Sequence, residues 1–194
     1  DGGNLIIESD EYDDFIAKEP NAIKYIRPLL GSFEFINNKK RYCLWLVNVN
    51  PSEIRNMPLV YGRVQKCKEM RENSIAEGIR KFAKTPTIFA QVTQPEGADY
   101  IIVPEVSSER RKYIPMAFMN SNTIVNNLVK IVPNAQVYHF GILTSEMHMS
   151  WMRYVTGRLK SDYRYSKDVC YNTFPWPTPS DKQKTDIEEA AQIV

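Results

Sequence analysis

A chain of 194 residues, 43% hydrophobic and 25% charged, suffices for one good core, or one core plus a small satellite. No apolar run approaches the roughly 18 residues of a membrane span, and no charged-then-apolar leader marks a secretory signal. The net charge of +2 hides an asymmetry: residues 1–20 sum to −6, the tail after Ser180 to −2, and residues 21–180 therefore to +10.

A basic body of this kind is the electrostatic footprint of a polyanion binder, although lysines scattered for solubility produce the same count. The three cysteines, Cys43, Cys67 and Cys170, lie far apart and lack metal-site spacing. Reduced thiols in a cytoplasm fit that pattern. The sequence opens at Asp1 on Asp-Gly-Gly-Asn, as a piece of something longer would.

Residues 10–30 read as short helices, with Asp10 as a plausible N-cap and Pro20 and Pro28 as punctuation. Phe33–Ile36 and Tyr42–Val47 flank Asn37-Asn38, which predicts a hairpin whose second strand is apolar on both faces and hence central. Asn50-Pro51-Ser52-Glu53 predicts a helix start, with Asn as cap, Pro at the first position and Glu reaching back. Residues 59–83 carry helical periodicity: Val60, Val64 and Cys67 share one face, and Ile75, Ile79 and Phe82 another. A second capping box, Ser74 with Glu77, predicts a break near Asn73-Ser74.

From Thr85 onward the period shortens. Thr87–Val92, Tyr100–Val103, Tyr113–Phe118, Ile124–Val125, Val129–Val132 and Gln136–Tyr138 are β-prone runs separated by turn residues. Met147–Arg158 reads as a helix and Tyr171–Pro179 as a proline-rich exit. The fold class expected is α/β (mixed), with an irregular, mostly antiparallel sheet and flanking helices.

An active site is not evident. Base-flipping methyl transfer needs a glycine-rich turn and an Asn/Asp-Pro-Pro-aromatic loop, whereas Asn56-Met57-Pro58-Leu59 reads as a turn joining two helices. There is no phosphate loop and no G-x-G-x-x-G element. His139 and His148 are nine residues apart with no cysteine nearby, and the acids Asp99 and Glu105 lack a Glu-x-Lys ending of nuclease type. A small hydrolase or nuclease using either histidine stays open as an alternative, as does a protein-interaction domain with an acidic partner.

Nucleic-acid contact chemistry is better represented. Val106-Ser107-Ser108-Glu109-Arg110-Arg111-Lys112-Tyr113 packs cations, hydroxyls and a carboxylate between two predicted strands. Arginine offers a fork to guanine or phosphate, hydroxyls suit phosphate, and a carboxylate accepts from the cytosine amine. A solvated turn with an internal Glu109–Arg ion pair is the alternative. If residues 146–164 are helical, Arg153, Gly157, Lys160 and Arg164 fall on one stripe, opposite an apolar face of Met147, Trp151, Val155 and Leu159. Lys39-Lys40-Arg41, and Arg63, Lys66, Lys68 and Arg71, are weaker candidates. Asn120, Asn122, Asn126 and Asn127 could meet adenine edges, or serve local turns.

These segments carry a resemblance. IIVPEVSSERRKYIPMAF, VYHFGILTSEMHMSWMRYVTGRLKSDYRYSKDVCYNTFPWP and KEPNAIKYIRPLLGSFEFINNKKRYCLWL closely resemble the region after the catalytic domain in MmeI-like type II restriction–modification enzymes and related adenine-specific DNA methyltransferases. The likeness runs from about Gly2 to Pro177. It is most specific at Leu159-Lys160-Ser161-x-Tyr163-Arg164-Tyr165 and Tyr171-Asn172-x-Phe174-Pro175-Trp176-Pro177. Cys170 and Thr173 occupy places where relatives often differ.

The resemblance implies a DNA target recognition domain that is not an enzyme by itself. It implies residues 1–30 as a helical linker from a catalytic domain outside this chain, 31–179 as the recognition domain and 180–194 as a helical tail. The expected partners are double-stranded DNA and a covalently linked methyltransferase domain, which would hold S-adenosylmethionine, in the cytoplasm and without a membrane. Glu105, Ser107, Ser108, Glu109, Arg110, Arg111 and Lys112 are expected to supply readout and anchoring, and Arg158, Lys160 and Arg164 to hold phosphates.

Overall fold

The computed structural model describes residues 1–194, as short strands and helices from end to end. In chain order these are β1 (Ile6–Glu8), α1 (Tyr12–Lys18), β2 (Ile26–Leu30), α2 (Ser32–Ile36), β3 (Arg41–Leu44), α3 (Pro51–Arg55), α4 (Pro58–Glu72) and α5 (Glu77–Arg80). There follow β4 (Tyr100–Pro104), β5 (Val106–Ser107), β6 (Ala117–Met119), β7 (Ile124–Val125), β8 (Val129–Pro133), α6 (Val137–Leu143), α7 (Glu146–Val155), β9 (Gly157–Leu159), β10 (Asp162–Arg164) and α8 (Asp181–Ala191). The strand pairs are antiparallel, so the mixed α/β class expected from the periodicity is the one found. No helix is long and apolar enough to cross a membrane.

The elements assemble into two compact units. The first is made of Asp1–Leu30, Lys40–Gln94 and Asn122–Ile124. Here β3 lies between β1 and β2, with Cys43 opposite both Ile6 and Arg27. Cys43 and Leu44 are both fully buried, as a central strand apolar on both faces requires. Val60, Val64 and Cys67 bring the apolar stripe of α4 onto Leu5, Ile7, Phe15, Ala22 and Leu44. Residues 1–30, expected as a linker, thus supply much of this core.

Two buried polar side chains finish α4. Glu19 accepts the Leu59 and Val60 amides at 3.2 and 2.7 Å, taking up N-terminal donors that the N-cap residue Met57 does not cover with its side chain. At the other end Arg71, 1% exposed, donates to the carbonyls of Phe82, Thr85 and Ile88 at 2.8 to 3.0 Å. Thr87–Val92, expected as a strand, is irregular, and one of its carbonyls, that of Ile88, bonds to this side chain. The expected break after Asn73 is present, but Ala76 caps α5 and Ile75 and Ile79 are exposed, so their shared apolar face does not form.

The second unit is made of Gly31–Lys39, Pro95–Ser121 and Val125–Val194. Its larger sheet runs β6-β4-β8, with every residue of β4 buried. Ile101 and Val103 pack on Leu143, Met149 and Met152 from the helices and on Tyr165 and Cys170. The Phe174-Pro175-Trp176 close seals the far side: Phe174 meets His148 edge-on at 4.6 Å and Trp176 at 5.4 Å.

Two expected strands are helices here. Phe33–Ile36 belongs to α2, where the Glu34 carboxylate accepts the Gly31 amide at 2.8 Å in the manner of a helix start. The positive φ expected at Asn37-Asn38 does occur, at Asn38, but it joins a helix to β3. Val137 and Tyr138 open α6, whose first turn His139 secures by accepting the Gln136 amide at Nδ1, 3.0 Å.

Candidate nucleic-acid interface

Where α7 stops decides the geometry of the site. Val155 is its last residue, and Thr156 is already extended at φ −80° and ψ 148°. A β-branched residue followed by glycine continues a helix poorly, Gly alone costing about 1 kcal/mol relative to Ala. The chain turns instead into the hairpin β9–β10, with Lys160 near its tip in left-handed backbone, φ 56°. The expected helical stripe of Arg153, Gly157, Lys160 and Arg164 therefore does not form. Of its apolar back, Trp151 and Val155 pack against the core, while Met147 and Leu159 are more than half exposed.

The hairpin has a third strand. Tyr163 of β10 faces Ser107 of β5 on one side and Arg158 of β9 on the other, and Arg164 faces Val106 and Gly157. The two stretches singled out in the sequence thus meet in one small sheet, β5-β10-β9. Because side chains alternate along a strand, Ser107, Tyr163 and Arg158 share one face and Arg164 takes the other.

Glu105 holds this assembly together. Its amide donates to the Leu128 carbonyl at 3.0 Å and its own carbonyl accepts the Tyr165 amide at 2.7 Å. Its carboxylate accepts from Lys130 Nζ at 3.0 Å and Arg164 Nε at 2.8 Å. Burial pushes the carboxyl's pKa up, but Lys130 and Arg164 together outweigh burial and hold it below the usual carboxylate range. Glu105 is 8% exposed and Ser107 2%. Both sit under the surface, so they position the site and are not free to read a base.

The loop from Ser108 to Lys112 rises from this support. Ser108 accepts the Arg110 amide through its hydroxyl at 3.3 Å and the Arg111 amide through its carbonyl at 3.0 Å. The Glu109 amide is tied to the hairpin through Asp162 Oδ1 at 3.3 Å. Beyond the turn, Arg153 donates to the Lys112 carbonyl and Tyr113 to Glu146, docking the loop on α7. Arg153 is thereby a structural arginine. The Tyr113 hydroxyl, and after it Glu146, raises the Lys112 ammonium above its ordinary pKa.

The ten candidates thus separate. Arg110, Arg111 and Lys160 are exposed and no acceptor engages their side chains. Lys112 is exposed, 3.6 Å from Glu146. Arg164 is fixed through Nε and otherwise 59% exposed. Arg158 lies flat over the Tyr163 ring at 3.9 Å, donates to the Ser161 carbonyl at 2.8 Å and stands 3.8 Å from Glu109.

Asp162, Tyr163 and Lys130 carry this geometry and were not singled out from the sequence. The period-2 placement of Tyr163 and Tyr165 was the available signal, masked by reading the segment as a helix.

Several of the weaker candidates are occupied, while Lys39, Lys40 and Lys66 are exposed. Arg41 pairs with Glu8 at 2.6 Å, Arg63 with Glu11 at 2.8 Å, and Lys68 with Glu72 at 3.7 Å, while Arg71 is buried. Asn126 accepts the Leu128 amide, a local turn bond. His148 is fully buried, with Nε2 2.9 Å from the Tyr165 hydroxyl. A histidine sealed in a core cannot meet a substrate, and His139 caps a helix, so neither supports a hydrolase.

The chain is similar to known proteins over nearly its whole length. The family described as MmeI, target recognition domain, matches residues 1–178. DNA methyltransferase A of Bacillus subtilis (strain 168) is 45% identical over 190 residues, 98% of this chain and 22% of that protein. The structure of the Type IIL restriction-modification enzyme MmeI in complex with DNA superposes with a TM-score of 0.95 at 47% identity, over 99% of this chain and 26% of that one. The chain therefore spans about a quarter of the length of these relatives. It belongs to the MmeI target recognition domain family.

Proposed function

We propose that this chain is the double-stranded DNA recognition domain of a longer, S-adenosylmethionine-dependent, adenine-specific DNA methyltransferase of a type II restriction–modification system, acting in the cytoplasm and in some arrangements joined to an endonuclease. The observation that carries this reading is the β5-β10-β9 sheet, which joins the Ser108–Lys112 loop to the Lys160 hairpin. Arg110, Arg111, Lys112, Lys160 and the outer nitrogens of Arg164 supply cations for phosphates. Ser108 and Glu109 offer polar groups to the grooves, and Glu105 and Ser107 support them from below. The linked catalytic domain supplies methyl transfer.

In this reading the methyl donor belongs to the linked domain. The single glycine at a strand-to-helix junction is Gly31, where a Cβ would stand 2.4 Å from Asn126 Nδ2 and 2.6 Å from Glu34 Oε2. Side chains fill the space beside that turn, which supports a methyl donor held in the linked domain.

Duplex titrations over a range of salt test the reading. Five phosphate contacts give a log–log slope of about −4.5, each contributing about −0.9. Replacing Arg110 and Arg111 together by Ala should reduce its magnitude by about 1.8. A shallow slope, or one that the double variant leaves unchanged, would remove this loop from any DNA interface.

A further inference from the structure

Unlike Arg110, Arg111 and Lys160, whose side chains have no partner, Arg158, like Arg164, is already immobilised. Its guanidinium stacks on Tyr163 at 3.9 Å, and Nη1 is tied to the Ser161 carbonyl at 2.8 Å. The Nε–Nη2 edge has no acceptor, and the side chain is 42% exposed. Glu109 brings a carboxylate oxygen to 3.8 Å from Nη1, and its backbone is fixed by Asp162. A phosphate clamp needs charge and tolerates a mobile chain. A carboxylate beside the fork would repel a phosphate. A base pair has the opposite preference: guanine presents two acceptors, O6 and N7, to an arginine fork, and its cytosine partner presents the N4 amine to a carboxylate.

We infer that Arg158 and Glu109 act as one unit that reads a single G·C pair in the major groove, in place of the phosphate role expected for Arg158. The inference rests on the reading that this chain meets duplex DNA. Tyr163 serves as the platform: stacking and the Ser161 tether remove the freedom an arginine would otherwise lose on binding. Lysine cannot substitute, having neither a planar fork nor a stacking face.

The experiment is selection from a pool of randomised duplexes by the chain and by its Arg158→Ala, Arg158→Lys and Glu109→Gln variants, followed by salt titration on the enriched duplex. Thermal melts of each variant confirm that it is folded. The expected result is an enriched motif with one G·C position at which both Arg158 variants lose at least tenfold preference and Glu109→Gln loses part of it. The salt slope of Arg158→Lys should stay at the wild-type value. Restoration of the preference by lysine would overturn the inference. So would a loss in Arg158→Ala that is uniform over all duplexes with the slope smaller by about 0.9, the mark of a phosphate contact. If the unmodified chain enriches no motif, the DNA reading itself falls, and the inference with it.

Discussion

Arg71 and His148 are the most fully enclosed polar side chains, at 1% and 0% exposure, and they fail in different ways. Arg71 donates to three carbonyls; the Thr85 and Ile88 amides also reach those of Phe82 and Thr85, so removing it leaves the Ile88 carbonyl without its donor. Arg71→Ala should cost about 1–3 kcal/mol; a urea denaturation curve indistinguishable from that of the parent chain would refute that role. Burial lowers the His148 pKa from 6.5 to about 4, so the folded state keeps the ring neutral where the unfolded state protonates it. Its contribution is complete above about pH 6.5 and shrinks as pH falls toward 4, by roughly 3 kcal/mol in all. His148→Gln, which keeps a polar group opposite the Tyr165 hydroxyl, should flatten stability against pH across that window. An unchanged slope would assign the acid sensitivity elsewhere.

Among the elements, those whose apolar pattern agreed with their local chemistry were legible in sequence. Asn50 does cap α3 by accepting the Ser52 amide at 3.0 Å, and β3, β4, β7 and β8 lie where the β-prone runs predict them. Glu53, expected to reach back to that cap, instead serves Lys24 and Tyr25, a partnership no local rule encodes. The end of α7 was missed because Leu159 and Lys160 fit a helical spacing, while the hairpin depends on pairing with the distant β5. The two stretches of the candidate site were therefore legible, and the sheet that joins them was not. Helix α8 shows the same dependence on tertiary contact: a Cβ on Gly141 of α6 would stand 2.8 Å from Ile187 Cγ2 and 3.2 Å from the Ile187 carbonyl. Gly141→Val should detach α8, because overpacking of 1–3 kcal/mol is about what one short helix contact supplies. Trypsin would then cut at Lys182 and Lys184 while the rest of the second unit resists. Equal protection of those sites in both proteins would show that α8 docks without this close approach.

For the whole molecule, net charge locates the site less well than the sequence arithmetic suggests. Much of the acidic start is consumed within the first unit, through Glu8–Arg41, Glu11–Arg63 and Asp14–Lys18. The second unit, which holds the site, carries as many carboxylates as cations. What distinguishes the candidate site is local: Arg110, Arg111 and Lys160 stand without partners beside one small sheet, where Glu105, Asp162 and Glu146 hold the backbone and neighbouring side chains in place. Amide hydrogen exchange of the chain with and without duplex DNA tests this directly. Protection should rise together in residues 105–112 and 157–164, because one sheet carries both. Protection of only one of these stretches, or protection confined to the first unit, would contradict a shared interface.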